Sequence, residues 1–264
     1  LRHDQQDRLT STALLLQDIL TERTAAAPDR IAIVAGRSRL TYGALAAMSD
    51  GLAAEFQRRG IGRGDRVAIF SDNWSESVVA ALAALKADAI ACPVHPLSAA
   101  ESLASHLRAQ RARAVVTEAR LATVAAAAIR MAESVRTVVL AGTREADGGA
   151  PGCIRFEDAV ASRDTPARSD AADSDIAFLL AEDRSGEPFG ASLLRHRDVI
   201  EAMEVRGRDG DAVITSLRLA TKAGLCQLFS ALRHGVTLMH STSGAADVRP
   251  MAVPEAERPL RSTR

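Results

Sequence analysis

What most constrains this chain is an alternation of two periodicities. Short apolar, β-branched runs recur at Arg66–Phe70, Ile90–Val94, Ala114–Thr117 and Thr137–Ala141. The stretches between them, Ser75–Lys86, Ala99–Arg108 and Leu121–Ala132, place apolar residues every three or four positions, as Val78, Val79, Leu82 and Leu85 do in the first. Runs that are apolar throughout suit strands buried on both faces, and the intervening spacing suits helices with one buried side. Strand, helix, strand at these lengths implies right-handed parallel crossovers, and their repetition predicts an α/β fold with mostly parallel sheets covered by helices.

Ahead of this unit, Leu15, Leu16, Ile19 and Leu20 share one face of an opening helix within 12–24, and Pro28 follows its end. Ile31–Val34 and Arg39–Leu40 flank a turn containing Gly36, which reads as a hairpin. Thr41 then caps a helix carrying Leu45, Met48, Leu52 and Phe56 on one stripe, with Gly60 as its stop. Residues 143–174 are rich in glycine, proline and small polar residues, with a brief helical run near Phe156–Val160. A second α/β stretch has strands at Ile176–Leu180, Ala212–Leu217 and Val236–His240 and helices at Arg197–Val205 and Leu225–Leu232, with a loop through Gly190. The expected division is a first α/β subdomain at 1–142, a connection at 143–174, a partial second subdomain at 175–240 and a disordered tail at 241–264.

Composition removes several function classes. The 33 basic and 33 acidic residues of the 264 cancel, which argues against nucleic-acid binding driven by phosphate neutralisation. The run Arg58, Arg59, Arg63, Arg66 reads as a solvated helix end. No apolar run reaches the ~18 residues of a membrane span, because Lys86 and Asp88 interrupt the best one, and no signal-peptide core is present, so the expectation is a cytoplasmic protein. Cys92, Cys153 and Cys226 are far apart and without metal-ligand spacing, so no metal site is expected. There is no Gly-x-Ser-x-Gly elbow. The only lysines are Lys86, at a helix end where a cation suits the dipole, and Lys222, read as a surface residue.

The ordered set Arg39-Leu-Thr-Tyr-Gly-Ala-Leu, Gly62-Arg-Gly-Asp-Arg-Val-Ala-Ile, the helix from Val78, and Cys92-Pro-Val-His-Pro-Leu resembles the ANL superfamily of adenylate-forming enzymes. These are acyl-CoA synthetases, fatty acyl-AMP ligases and peptide-synthetase adenylation domains. The Pro-x-x-Pro-Leu form at Pro93–Leu97 is closer to acyl-CoA synthetases. The likeness runs from about Leu14 to about His240 and implies the first subdomain and part of the second of such an enzyme's N-terminal domain.

The resemblance also implies a hydroxyl- and glycine-rich phosphate loop ending in Gly-x-Pro-Lys-Gly. Here residues 182–190 read Glu-Asp-Arg-Ser-Gly-Glu-Pro-Phe-Gly. Arg184, Ser185, Gly186, Pro188 and Gly190 keep the frame, whereas Glu182 replaces a hydroxyl residue, Asp183 a glycine and Phe189 the lysine. Three carboxylates and one arginine would face a polyanion. Each like-charge contact at about 4 Å costs roughly 1 kcal/mol in water and up to about 4 kcal/mol at a surface-like dielectric, so ATP and Mg binding is expected to be lost or very weak, and no cofactor is expected. The segment reads either as an ordinary strand-to-helix turn or as a repurposed ligand loop. Downstream, Ala220 and Thr221 stand where family members carry the aromatic and the histidine that line the acyl tunnel.

No residue is therefore assigned a catalytic role. The readings that remain are a structural or regulatory pseudoenzyme acting through a protein partner, such as a ligase or carrier-protein system, or through self-association; half of a split adenylating ligase completed in trans; a non-catalytic acyl-ligand binder; and a remnant or fragment. The alanine and arginine bias suggests a GC-rich bacterial genome.

Overall fold

The computed structural model describes residues 14–142, 152–182, 190–204 and 207–241, and the backbone alone at 251–252 and at 182. The elements in chain order are α1 (Leu16–Ala26), β1 (Ile31–Ala35), β2 (Ser38–Thr41), α2 (Tyr42–Arg58), β3 (Arg66–Phe70), α3 (Trp74–Lys86), β4 (Ile90–Pro93), α4 (Ala100–Gln110), β5 (Ala114–Glu118), a 3-10 turn (Ala119–Leu121), α5 (Ala122–Arg130), β6 (Thr137–Ala141), β7 (Cys153–Arg155), α6 (Phe156–Ala161), β8 (Ile176–Glu182), β9 (Gly190–Arg195), α7 (His196–Glu201), β10 (Asp211–Thr215), α8 (Lys222–His234), β11 (Thr237–His240) and β12 (Met251–Ala252). Side-chain caps set several boundaries. Thr41 Oγ1 accepts from Ala44 N–H at the start of α2, and Asn73 Oδ1 accepts from Ser75 and Glu76 N–H at the start of α3. Gly235, in the left-handed region at φ +70°, ends α8 and lets the chain turn straight into β11.

Two sheets result. The seven-stranded sheet has the order β7-β6-β5-β3-β4-β8-β9 and is parallel except for the β8–β9 hairpin. The five-stranded sheet has the order β12-β10-β11-β1-β2, with β10, β11 and β1 parallel. Every residue of α3 except Glu76 is buried. A helix buried all round must sit between layers, and α3 lies against β3 and β4 of the larger sheet and β1 of the smaller one. The main core, with Leu16, Tyr42, Leu52, Phe56, Leu82, Phe178 and Phe229, therefore unites both sheets, while α4 and α5 close a second core over the opposite face of the large sheet.

The α/β class and parallel sheets match expectation. The strand pairings cut across the expected boundaries at 142 and 175. β8 and β9 complete the first sheet, and the N-terminal hairpin β1–β2 joins β10 and β11 in the second. Segment 143–174 contributes β7 and α6, with Phe156 and Ala159 buried. The stretch expected to be a loop through Gly190 contains strand β9, because its apolar signal is weak and its pairing with β8 supplies the order. Within the expected tail, Met251–Ala252 pairs antiparallel with Asp211–Ala212; the rest of 242–264 lies outside the described residues. Among the described residues no helix is long and apolar enough to cross a membrane.

Lys86 closes the last turn of α3, the helix end expected for it. Its amine is buried and donates to Asp50 Oδ1 at 2.6 Å and Ala46 O at 3.1 Å, tying the end of α3 to α2. Burial pushes its pKa down, against the Asp50 carboxylate. Arg58, Arg59 and Arg63 are exposed at the end of α2 and in the turn after it, as expected, and the run makes ion pairs and hydrogen bonds there. Arg58 and Arg59 pair with Glu55, Arg63 pairs with Asp175, and Arg66 donates to the carbonyls of Gln110 and Arg111.

Candidate functional site

Parallel strands point their carboxyl ends to one edge, where crevices collect ligands in α/β proteins. Here that edge belongs to both sheets. Ile69 of β3, Pro93 of β4, His240 of β11 and the Arg218–Ala220 segment after β10 surround a small cavity of about 40 Å³ together with Asp72 and Trp74. Its floor is a stacked pair. The rings of Trp74 and His240 lie 5.0 Å apart, inclined by only 9°, and so join the first turn of α3 to the end of the second sheet. Trp74 Nε1 is buried with no partner among the described residues. Burial holds His240 below the usual histidine range, Arg218 pushes the same way and Asp72 opposes them, so the ring is neutral at pH 7. Charge at the rim is carried by a chain of ion pairs, Arg218 to Asp72 at 3.4 Å, Asp72 to Arg120 at 3.0 Å and Arg120 to Glu118 at 3.2 Å.

Glu76 lies in the same neighbourhood and is the one residue of α3 not buried outright. Its carboxyl is pushed up to about 7, first by desolvation and then by Glu118 and Glu157. Glu157 in turn uses one oxygen to accept from Gly142 N–H at 2.7 Å.

A larger cavity of about 430 Å³ opens between α8 and the second sheet. Val213, Leu217, Leu238 and Ala231 supply apolar wall, and Glu204, Lys222, Cys226, Gln227 and Ser230 supply polar groups. Such a volume and mixture are typical of small-molecule sites. Gln227 Oε1 accepts from Thr215 Oγ1 at 2.5 Å, which holds one wall in place. Desolvation pushes the Cys226 thiol up, so it is protonated and a poor nucleophile at neutral pH. Lys222 is exposed, as expected, and also lines this cavity.

Of the residues singled out in the sequence, Glu182 and Gly190 face each other as the last rung of the β8–β9 hairpin. The segment between them thus connects two strands, rather than a strand and a helix. Asp183, Arg184, Ser185, Gly186, Pro188 and Phe189 lie outside the described residues. Ala220 lines the small cavity beside Trp74 and His240. Thr221 is the N-cap of α8: its hydroxyl donates to Arg218 O at 2.8 Å and accepts from Gly224 N–H at 3.1 Å. Among the described residues no three His, Cys, Asp or Glu side chains are arranged to hold a metal ion. The Trp74–His240 stack was not evident from sequence, since the two residues are 166 positions apart and no local pattern links them.

Comparison with known proteins agrees with this architecture. The family model for AMP-binding enzymes matches residues 20–180, and the chain belongs to that family. It is 30% identical over 191 residues to 3-oxocholest-4-en-26-oate--CoA ligase of Rhodococcus rhodochrous, covering 71% of this chain and 34% of that protein. It is 27% identical over 240 residues to 3-hydroxybenzoate--CoA ligase of Aromatoleum sp. (strain CIB), covering 88% of this chain and 45% of the relative. The solved apo structure of Mycobacterium smegmatis MbtA superposes with a TM-score of 0.77 at 25% identity, over 90% of this chain and 46% of that one. The chain spans less than half the length of each of these three.

Proposed function

We propose that this chain is a catalytically degenerate member of the AMP-binding family, a cytoplasmic structural or regulatory protein that acts through a protein partner, a ligase or carrier-protein system, rather than by making adenylates. The observation that carries this reading is the sequence between β8 and β9, where Phe189 stands in place of the phosphate-binding lysine and Glu182, Asp183 and Glu187 add carboxylates. These residues do not fit a Mg-bound triphosphate. Cradling phosphate takes backbone amides, hydroxyls and a cation, and a loop net charge of −2 opposes it by several kcal/mol. Isothermal titration with Mg·ATP tests the reading on the chain and on the triple variant Glu182→Thr, Asp183→Gly, Phe189→Lys. No binding by the former and measurable binding by the latter is expected. ATP-dependent adenylate formation by the unaltered chain, alone or with a chain that co-purifies with it, overturns the reading in favour of a ligase completed in trans.

A second reading rests on the 430 Å³ cavity, whose apolar walls suit the hydrophobic part of an acyl compound, with Lys222 and Glu204 as the charged groups of its lining. It predicts saturable binding of aromatic or long-chain acids without ATP, weakened by Ala231→Phe, which fills the cavity. Unchanged binding in that variant sinks it.

A further inference from the structure

Helix α1 is anchored at its first turn by a residue 180 positions away. Leu16 N–H, one of the N-terminal donors that a helix cannot satisfy internally, donates to His196 Nδ1 at 3.2 Å. His196 is only 3% exposed and opens α7 directly after β9. Because the donor is a backbone amide, Nδ1 must carry a lone pair, which fixes the neutral ring in the Nε2–H tautomer. Protonation removes that acceptor and sets a cation against the positive end of the helix dipole. We infer that His196 is a proton-operated latch: neutral, it holds α1 on the body of the protein, and on protonation it releases the helix.

The surroundings have been arranged for other tasks. The carboxylates facing the ring are Asp18 on α1, Asp88 in the turn between α3 and β4, and Asp173 and Asp175 ahead of β8. Asp18 accepts from Leu15 N–H at 3.0 Å, Asp88 from Ser169 Oγ and from Asp170 N–H at 3.0 Å, and Asp175 from Ala172 N–H at 3.1 Å and from Arg63 at 2.8 Å. On α7 itself Arg197 pairs with Asp198. These acids favour the charged ring, yet burial prevails and keeps His196 below the ordinary histidine range. What release uncovers is specific. α1 buries Leu16, Ile19 and Leu20 and packs on α8, the helix whose other side lines the 430 Å³ cavity. The latch thus couples proton concentration to the support of a cavity wall, independently of any ATP chemistry.

The sign follows from linkage. The docked ring has the lower pKa, so the docked state is fully favoured above 6.5 and loses ground as pH falls through 6.5 toward the docked value. Hydrogen exchange of the peptide covering 16–26, corrected for intrinsic rates and followed from pH 7.5 to 5, tests this. The opening constant of α1 is expected to rise by up to about tenfold per pH unit below 6.5, while α3 stays protected. His196→Asn supplies an acceptor oxygen that does not titrate, and its α1 protection is expected to be flat across the same range. A pH-independent α1 in the unaltered protein, or the same pH dependence in the Asn variant, overturns the latch. Nitrogen NMR of the unaltered protein gives a check that does not depend on the variant folding. The Nε2–H tautomer at pH 7.5 supports the latch, and a proton on Nδ1 refutes it.

Discussion

Replacing Glu76 by glutamine should stabilise this protein, and only at neutral to alkaline pH. The side chain sits on the first turn of a helix whose other residues are all buried, with Glu118 and Glu157 near enough to repel its charge. Its carboxyl titrates at about 7 in the fold against 4.5 in the unfolded chain. Moving a pKa that far costs at most about 3–4 kcal/mol in the ionised form. Glu76 is only half-buried, and solvent screening together with the favourable helix dipole reduces this to roughly 1–2 kcal/mol. The folded state holds a proton that the unfolded state releases between pH 4.5 and 7, so stability is greatest below 4.5 and declines as pH rises to 7. Urea unfolding of Glu76→Gln is thus expected to show a gain of about 1–2 kcal/mol at pH 8 and almost none at pH 4.5. An equal change at both values, or a loss at pH 8, would refute the electrostatic account and leave side-chain packing as the controlling effect.

Three other outcomes follow from geometry. Asp50→Ala strands the buried Lys86 amine with one carbonyl and should cost about 3 kcal/mol, whereas Lys86→Met leaves a partly solvated carboxylate and should cost about 1; chemical denaturation of both variants measures the asymmetry. A Cβ at Gly51 would lie 2.6 Å from Ala159 O, so Gly51→Ala should prise α6 from α2 and lower stability by about 2 kcal/mol, seen as a drop in Tm. Iodoacetamide should label Cys92 only on unfolding, because the thiol is fully enclosed, and labelling of the native protein at Cys92 would contradict the packing described.

Most of the strand and helix positions are legible in the sequence because burial leaves a local trace. The run Arg66–Phe70 is apolar because β3 is covered on both faces, and Thr41 stands where α2 needs an acceptor. Which strands pair leaves no such trace. β1 lies against β11 across some two hundred residues, and nothing in Ile31–Ala35 distinguishes that partner from its neighbours in sequence. The site suffers more from this than the scaffold does. The Trp74–His240 stack, the Asp50–Lys86 tie and the His196–Leu16 bond each rest on a single residue at each end, so they lack the repetition that makes periodicity readable. The proposed loss of phosphate binding rests on residues that are adjacent in sequence, Glu182, Asp183 and Phe189 among them, and so needs no knowledge of which strands pair.

Two ionisable groups that periodicity could not reveal act on stability with opposite signs. Glu76 withdraws stability as pH rises from 4.5 to 7, and His196 withdraws it as pH falls below 6.5. Neither slope comes from the loop on which the loss of ATP chemistry is argued, so the pH profile of the fold and the nucleotide chemistry separate experimentally. Both slopes act below pH 7, so they offset one another where they overlap below 6.5 in the unaltered chain. Glu76→Gln should leave a stability that rises with pH up to about 6.5, and His196→Asn should leave one that falls as pH rises from 4.5 to 7. Opposite slopes left by two substitutions on different elements would tie the pH response to these groups rather than to the net charge of a protein whose acids and bases balance.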